Sequence, residues 1–232
     1  MTSAFKTLLN YSILALAVFG VSFPSVTCGD FAYFEGWDEG NTNGWGGNTI
    51  FSNVERDEFV GNPAASLFLQ RDLDNLFTDF GTTTQLPDVT GNFSAVDELS
   101  FSFDALYGVG DFRETLLRFR FQDSSFNGWY LAVDETFESG WQEYSVTLDT
   151  NWTDAEAMAN GWVNETQGVV SWQQLMTDVF TTEIRIGAFM GEAEVHIDNV
   201  RLRSVPEPNS IVIAFVSLVF LVRRNRPDFS AV

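Results

Sequence analysis

The chain of 232 residues holds a single histidine, His196, and a single cysteine, Cys28. A Ser-His-Asp or Cys-His relay would have to run through that histidine, and no Gly-x-Ser-x-Gly turn is present to carry a serine nucleophile. His196 lies between Val195 and Ile197. Strand alternation turns it to the face opposite those two, which predicts an exposed strand residue rather than a catalytic base. Zinc chemistry is excluded on the same grounds, because one histidine and one cysteine cannot close a site. Carboxylates are plentiful, with 32 Asp and Glu against 12 Lys and Arg and a net charge of −20. They are hard oxygen ligands that suit calcium, although "DLDN" at 72–75 lacks the remaining spacing of an EF-hand loop. Their number singles out no acid and base for glycoside hydrolysis, so the chain reads as noncatalytic. Aromatic residues are the stronger signal. In "FNGWYLAVD", Trp129 and Tyr130 follow a turn and point to opposite faces of the next strand. One of the two is therefore expected at the surface, where a ring can stack on a sugar face.

The elements that must position these residues are strands. Leu99, Phe101 and Phe103 alternate with polar residues, as do Leu117, Phe119 and Phe121, and Tyr144, Val146 and Leu148. Each is a strand with one buried face. The turn chemistry of "GVGD" at 108–111, "SSFNG" at 124–128 and "ESG" at 138–140 separates them. Without long helices between strands, the pattern points to an antiparallel sandwich and not to βαβ units. Two short helices interrupt it. Thr153 with Glu156, and Ser171 with Gln174, have capping-box spacing, and Gly161 can close the first helix in the left-handed region. At the last strand Val195 and Ile197 share a face, but the next apolar pair, Val200 and Leu202, is one residue out of phase. A bulge at Asp198–Asn199 restores the register, and bulges often re-aim a side chain toward a site.

Both ends read as export signals. Lys6, the mostly apolar stretch Leu8 to Val21 and the small residues of "SVTCGD" have the layout of a secretory signal peptide spanning 1–28. Cleavage before Gly29 and lipidation of Cys28 are alternative readings, and in neither does Cys28 form an intramolecular disulfide. At the other end Ile211 to Val222 is apolar apart from Ser217. At about 1.5 Å per residue it covers roughly 18 Å, against a hydrocarbon core of about 30 Å. Arg223, Arg224 and Arg226 follow it, as a cytoplasmic flank requires. With Pro206-Glu207-Pro208 before the apolar run, the tail 205–232 resembles the PEP-CTERM sorting signals of exopolysaccharide-producing Gram-negative bacteria. The resemblance implies an exosortase-type protease as processing partner. It also implies transient anchoring in the inner membrane and delivery to the cell surface or extracellular matrix, with exopolysaccharide as a possible partner there. Residues 29–204 are left as one domain with a sizeable core. Lys6 is the chain's one lysine, and no basic patch is present to neutralise phosphates, which excludes a nucleic-acid partner.

The central domain opens "FAYFEGWDEGNTNGWGGN", continues "VGNPAASLFL" and ends "EVHIDNVRL". That order resembles the extracellular jelly-roll modules of the galactose-binding-like superfamily, which includes carbohydrate-binding modules and laminin-IV-like domains. The resemblance implies an all-β, antiparallel jelly-roll β-sandwich with one or two short helices. A signal helix would precede it and a C-terminal hydrophobic helix would follow. It further implies a structural calcium ion held by Glu35 and Asp198. Three functions follow as expectations: a noncatalytic surface or matrix component processed through its tail, a carbohydrate-binding module with Trp129 and Tyr130 as ligand contacts, and, least favoured, a carbohydrate-active enzyme. The acidity of the domain favours neutral or calcium-bridged glycans.

Overall fold

A computed structural model describes residues 31–49, 52–62, 65–71, 79–110, 112, 117–133, 139–187 and 191–205. The signal peptide, Pro206, Glu207, Pro208, Arg223 and Arg224 lie outside the described residues. Two antiparallel sheets pack face to face. The first contains β1 (Ala32–Glu35), β3 (Ser52–Asp57), β4 (Ser66–Arg71), β6 (Glu98–Tyr107), β9 (Gln142–Asp149) and β12 (Ala193–Ser204). Its order is β3-β4-β12-β6-β9, with β1 pairing β12 beyond the end of β4. The second contains β2 (Trp45–Gly47), β5 (Asp79–Thr84), β7 (Leu117–Gln122), β8 (Gly128–Val133), β10 (Trp162–Asn164) and β11 (Thr181–Gly187), in the order β10-β8-β7-β11-β5-β2.

The core is the alternation pattern made solid. Leu99, Phe101, Phe103, Leu117, Phe119, Phe121, Tyr144, Val146 and Leu148 are all buried. Phe101 packs edge-on against Phe119 with ring centroids 5.1 Å apart, which joins the two sheets at their centre. One end is plugged by tryptophans. Trp172 contacts Trp129, Trp152 and Trp162 at 5.6, 5.8 and 4.8 Å. Trp172 belongs to helix α2 (Trp172–Thr177), which follows helix α1 (Asp154–Ala159). Both helices begin with a complete capping box, Thr153 with Glu156 and Ser171 with Gln174. Two otherwise unsatisfied N–H groups are bonded in each, which lets helices this short form. Gly161 follows α1 with φ +90°, as the stop required. Among the described residues no helix is long and apolar enough to cross a membrane.

The bulge in β12 is present. Asp198 pairs with Asp104, but the next pair is Arg201 with Ser102, so β12 spends one residue more than β6 over this step. Asn199 absorbs the irregularity with φ +52°. Val195, Ile197, Val200 and Leu202 consequently all reach the core.

Candidate functional site

Two places gather polar side chains. The first is the bulge. Asp198, only 1% exposed, accepts backbone N–H bonds from Asn62 and Asn199, each at 2.6 Å. Asp104 lies directly across the strand pair and takes the side-chain amides of Asn62 and Asn199 on one oxygen, at 3.1 and 2.8 Å. Burial, with the charges of Asp104 and Asp38 nearby, pushes the Asp198 carboxyl up to about 6. Glu35 is the last residue of β1 and pairs with Val200 beside the bulge. Its carboxylate accepts from the Trp37 N–H at 2.6 Å and the Asn43 amide at 2.9 Å. A Cβ built on Gly36 would lie 3.8 Å from Asp198 Oδ1, so the Glu35–Gly36 backbone passes beside the bulge. Among the described residues no three His, Cys, Asp or Glu side chains converge as a ready metal cage.

The second place is the outer face of the second sheet. Because Leu117, Phe119 and Phe121 point inward, Arg118, Arg120 and Gln122 point out, and the register carries this phase across the neighbouring strands. Tyr130 and Glu183 flank Arg120, Val163 lies beyond Tyr130, and Thr83 lies beyond Glu183. This row crosses five strands, about 19 Å at the usual strand spacing. Arg120 is clamped by two carboxylates, Glu165 and Glu183, each at 2.6 Å. Burial opposes its charge, but Glu183 and Glu165 outweigh that effect and hold the guanidinium ionised. Glu183, 2% exposed, also accepts from the Asn48 amide at 2.6 Å. Asn48 lies over Gly81, where a Cβ would stand 3.2 Å from its Nδ2. In the next row Arg185 and Arg118 share Asp79, at 2.8 and 3.7 Å. The guanidinium of Arg118 lies 4.9 Å over the Tyr130 ring. Three arginines are thus matched by three carboxylates. The face is polar and electrically balanced in a strongly acidic chain.

The structure places the predicted ligand aromatics on opposite sides of β8. Tyr130 is on the outer face. Trp129 is fully buried, pairs with the inward Phe121, and donates its indole N–H to the carbonyl of Val170 at 3.1 Å. Its ring belongs to the core plug and offers no face to a ligand. His196 is also corrected. It does face away from Val195 and Ile197, but it is half-buried against the Phe68 ring at 4.9 Å, with Nδ1 3.0 Å from the hydroxyl of Ser66. Burial lowers its pKa. Ser66 and Asp57 approach the same ring nitrogen, Asp57 at 4.0 Å, so no proton path runs through the imidazole from one to the other. Sequence reasoning missed Arg120, Glu183 and Asn48. The available signal was the outward phase of "LRFRF" and "TTEIRIG", which puts charged residues on a face otherwise cut low by glycine.

No protein-family model matches the chain, and no curated protein is similar to it. Among solved structures, the chain is similar to an exo-β-agarase at 14% identity and a TM-score of 0.54, over 76% of this chain and 25% of that one. That likeness supports the sandwich fold, and the chain spans about a quarter of the agarase. A xylan-binding CBM22-1 domain from Paenibacillus barcinonensis matches at 12% identity and a TM-score of 0.46, covering 74% of this chain and 92% of that one. A family 11 carbohydrate-binding module from a Clostridium thermocellum cellulase matches at 14% identity and a TM-score of 0.47, covering 75% and 95%.

Proposed function

We propose that the protein is a noncatalytic carbohydrate-binding module and that its ligand, a neutral glycan, lies on the outer face of the second sheet. The observation that carries this reading is the row Tyr130–Arg120–Glu183–Thr83, beside the Arg118 guanidinium stacked on Tyr130. A ring, planar donors and fixed acceptors held in place by one another form a surface that matches the alternating apolar and hydroxyl faces of a sugar. The local charge balance leaves no net field for an ionic ligand, which favours a neutral one. The arginine clamps support the absence of catalysis, since Glu165, Glu183 and Asp79 are each tied to a guanidinium and none is free to act as an acid.

A calcium ion is proposed at the β12 bulge. The donor chemistry fits a hard cation, because Asp198 and Asp104 face each other with little solvent and Glu35 ends the neighbouring strand β1. A bound ion would offset the repulsion between these carboxylates and tie β1 to β12. Export through the signal at 1–28 and processing at Pro206-Glu207-Pro208 by an exosortase-type protease remain part of the proposal, on sequence grounds. They would place the module at the cell surface or in the matrix.

The deciding experiment is a glycan array probed with wild type and Tyr130→Ala. Binding to neutral glycans that the substitution abolishes supports the reading. Undiminished binding by Tyr130→Ala moves the site elsewhere on the domain.

A further inference from the structure

The β7–β8 turn holds an aromatic residue in a conformation that aromatics avoid. Phe126 has φ +62°, a left-handed value at which its Cβ is crowded, and its side chain is exposed, at 62%. Glycine or asparagine is the usual occupant of such a position, and Asn127 is only one residue away. The conformation is enforced by the turn around it. Asp123 Oδ1 accepts the backbone N–H groups of Ser125 and Asn127 at 2.8 and 2.9 Å, and the Phe126 N–H bonds to the Asp123 carbonyl at 3.0 Å. The Phe126 carbonyl in turn accepts the Gln122 side-chain amide at 2.9 Å. Gln122 is an outward residue of β7, so this bond ties the strained residue to the outer face of the second sheet. A bulky apolar side chain that is neither buried nor comfortable has no folding reason to be there. Strain of this kind persists where the surroundings over-determine it, and it concentrates at functional positions.

The phase of β8 puts Gly128 and Tyr130 on that same outer face. Gly128 contributes no side chain between Phe126 and Tyr130, and a Cβ there would collide with Gln122 Cγ at 2.9 Å. Phe126 and Tyr130 are thus four residues apart, at most about 13 Å of extended chain, with no side chain from Gly128 between them. We propose that Phe126 is a second stacking platform for the glycan, so that the sugar chain runs along β8 from Tyr130 to the β7–β8 turn and the ligand is an oligosaccharide rather than a single sugar or its end. This rests on the carbohydrate-binding reading and specifies its direction and minimum length.

The test is titration calorimetry of the full chain with neutral β-linked disaccharides and hexasaccharides of xylan, mixed-linkage glucan and agarose, using wild type, Phe126→Gly, Phe126→Tyr and Tyr130→Ala. Phe126→Gly should weaken hexasaccharide binding about tenfold or more, leave disaccharide binding unchanged, and raise Tm by a few degrees as the left-handed strain is relieved. Phe126→Tyr should keep the hexasaccharide affinity. Tyr130→Ala should weaken both ligands. If Phe126→Gly binds hexasaccharide as wild type does while Tyr130→Ala does not, the second platform is refuted and the Tyr130 site stands. If Tyr130→Ala and Phe126→Gly both bind as wild type does, the site lies elsewhere on the domain and the platform is refuted. If wild type binds none of these sugars, the carbohydrate reading itself fails and the platform with it.

Discussion

The outer faces of the two sheets handle charge in opposite ways. On the second sheet Glu165, Glu183 and Asp79 of the candidate face each have a guanidinium within ion-pair distance, and Arg120 alone serves two of them. On the first sheet Asp198 and Asp104 face each other across a strand pair, with only amide N–H donors for company. Hydrogen bonds orient a carboxylate without cancelling its charge, so the first face stores repulsion where the second stores attraction. A chain with this excess of acid could easily have left both faces negative. Three of its arginines are instead paired with carboxylates on the second sheet's outer face, while Arg201 of the first sheet reaches Glu143 at 3.9 Å and no guanidinium pairs with Asp198 or Asp104 among the described residues. One face is finished as it stands, whereas at the other the proposed cation would supply the missing countercharge.

The largest effect should come from breaking the finished face. Arg120→Ala leaves Glu183 buried with no opposing charge, and loss of one partner from a buried pair costs about 3–5 kcal/mol. Urea unfolding should show that loss. Replacing Arg120, Glu183 and Glu165 together with methionine should recover most of it, since the penalty lies in the uncompensated charge and not in the missing bridges. A small loss in Arg120→Ala would mean that Glu183 reaches solvent, and the contrast between the faces would weaken.

Completing the other face should have a somewhat smaller effect. A ligand that binds only the folded state contributes about 2.7 kcal/mol at 100 times its dissociation constant. Millimolar calcium should therefore raise Tm by several degrees over the value in chelator, and Asp198→Ala should abolish the difference. An identical Tm with calcium and with chelator would remove the ion from the proposal and leave the repulsion at the bulge to be explained without it.

The division between the faces was partly legible before any coordinates. The out-of-phase pairs Val195/Ile197 and Val200/Leu202 located the bulge, because period-two burial cannot tolerate an odd step without one. The capping boxes were legible for the same reason: Thr153 with Glu156 and Ser171 with Gln174 act within a single turn. The candidate face was not legible, since its bonds join residues far apart in the chain. Asn48 and Glu183 are separated by 135 positions, Arg120 and Glu183 by 63. The choice between Trp129 and Tyr130 needed the hairpin register, which sets Trp129 against inward Phe121. His196 was misjudged because alternation gives a residue's face but not its neighbours, and Phe68 and Ser66 of β4 close over it.

The subtlest test concerns the proton that the unfinished face retains when no cation is present. With its carboxyl pushed up to about 6, folded Asp198 holds a proton that the unfolded chain, near its ordinary value of 3.8, has already released. Between those values the native state binds more protons than the unfolded one, so raising the pH favours unfolding. In chelator this contribution to stability should be fully present below about pH 4 and disappear as the pH passes 6. Asp104→Asn keeps an oxygen to accept the Asn62 and Asn199 amides but removes the facing charge. It should reduce that slope only in part, because burial is the larger cause of the raised value. It should also stabilise the calcium-free protein at neutral pH by about 1 kcal/mol, the scale of a cross-strand like-charge pair. Calcium should flatten the slope in the wild type as well, because the ion replaces the proton as the countercharge. A slope that Asp104→Asn leaves unchanged would trace to burial of Asp198 without its facing charge, and the facing carboxylates would no longer distinguish this face from the other.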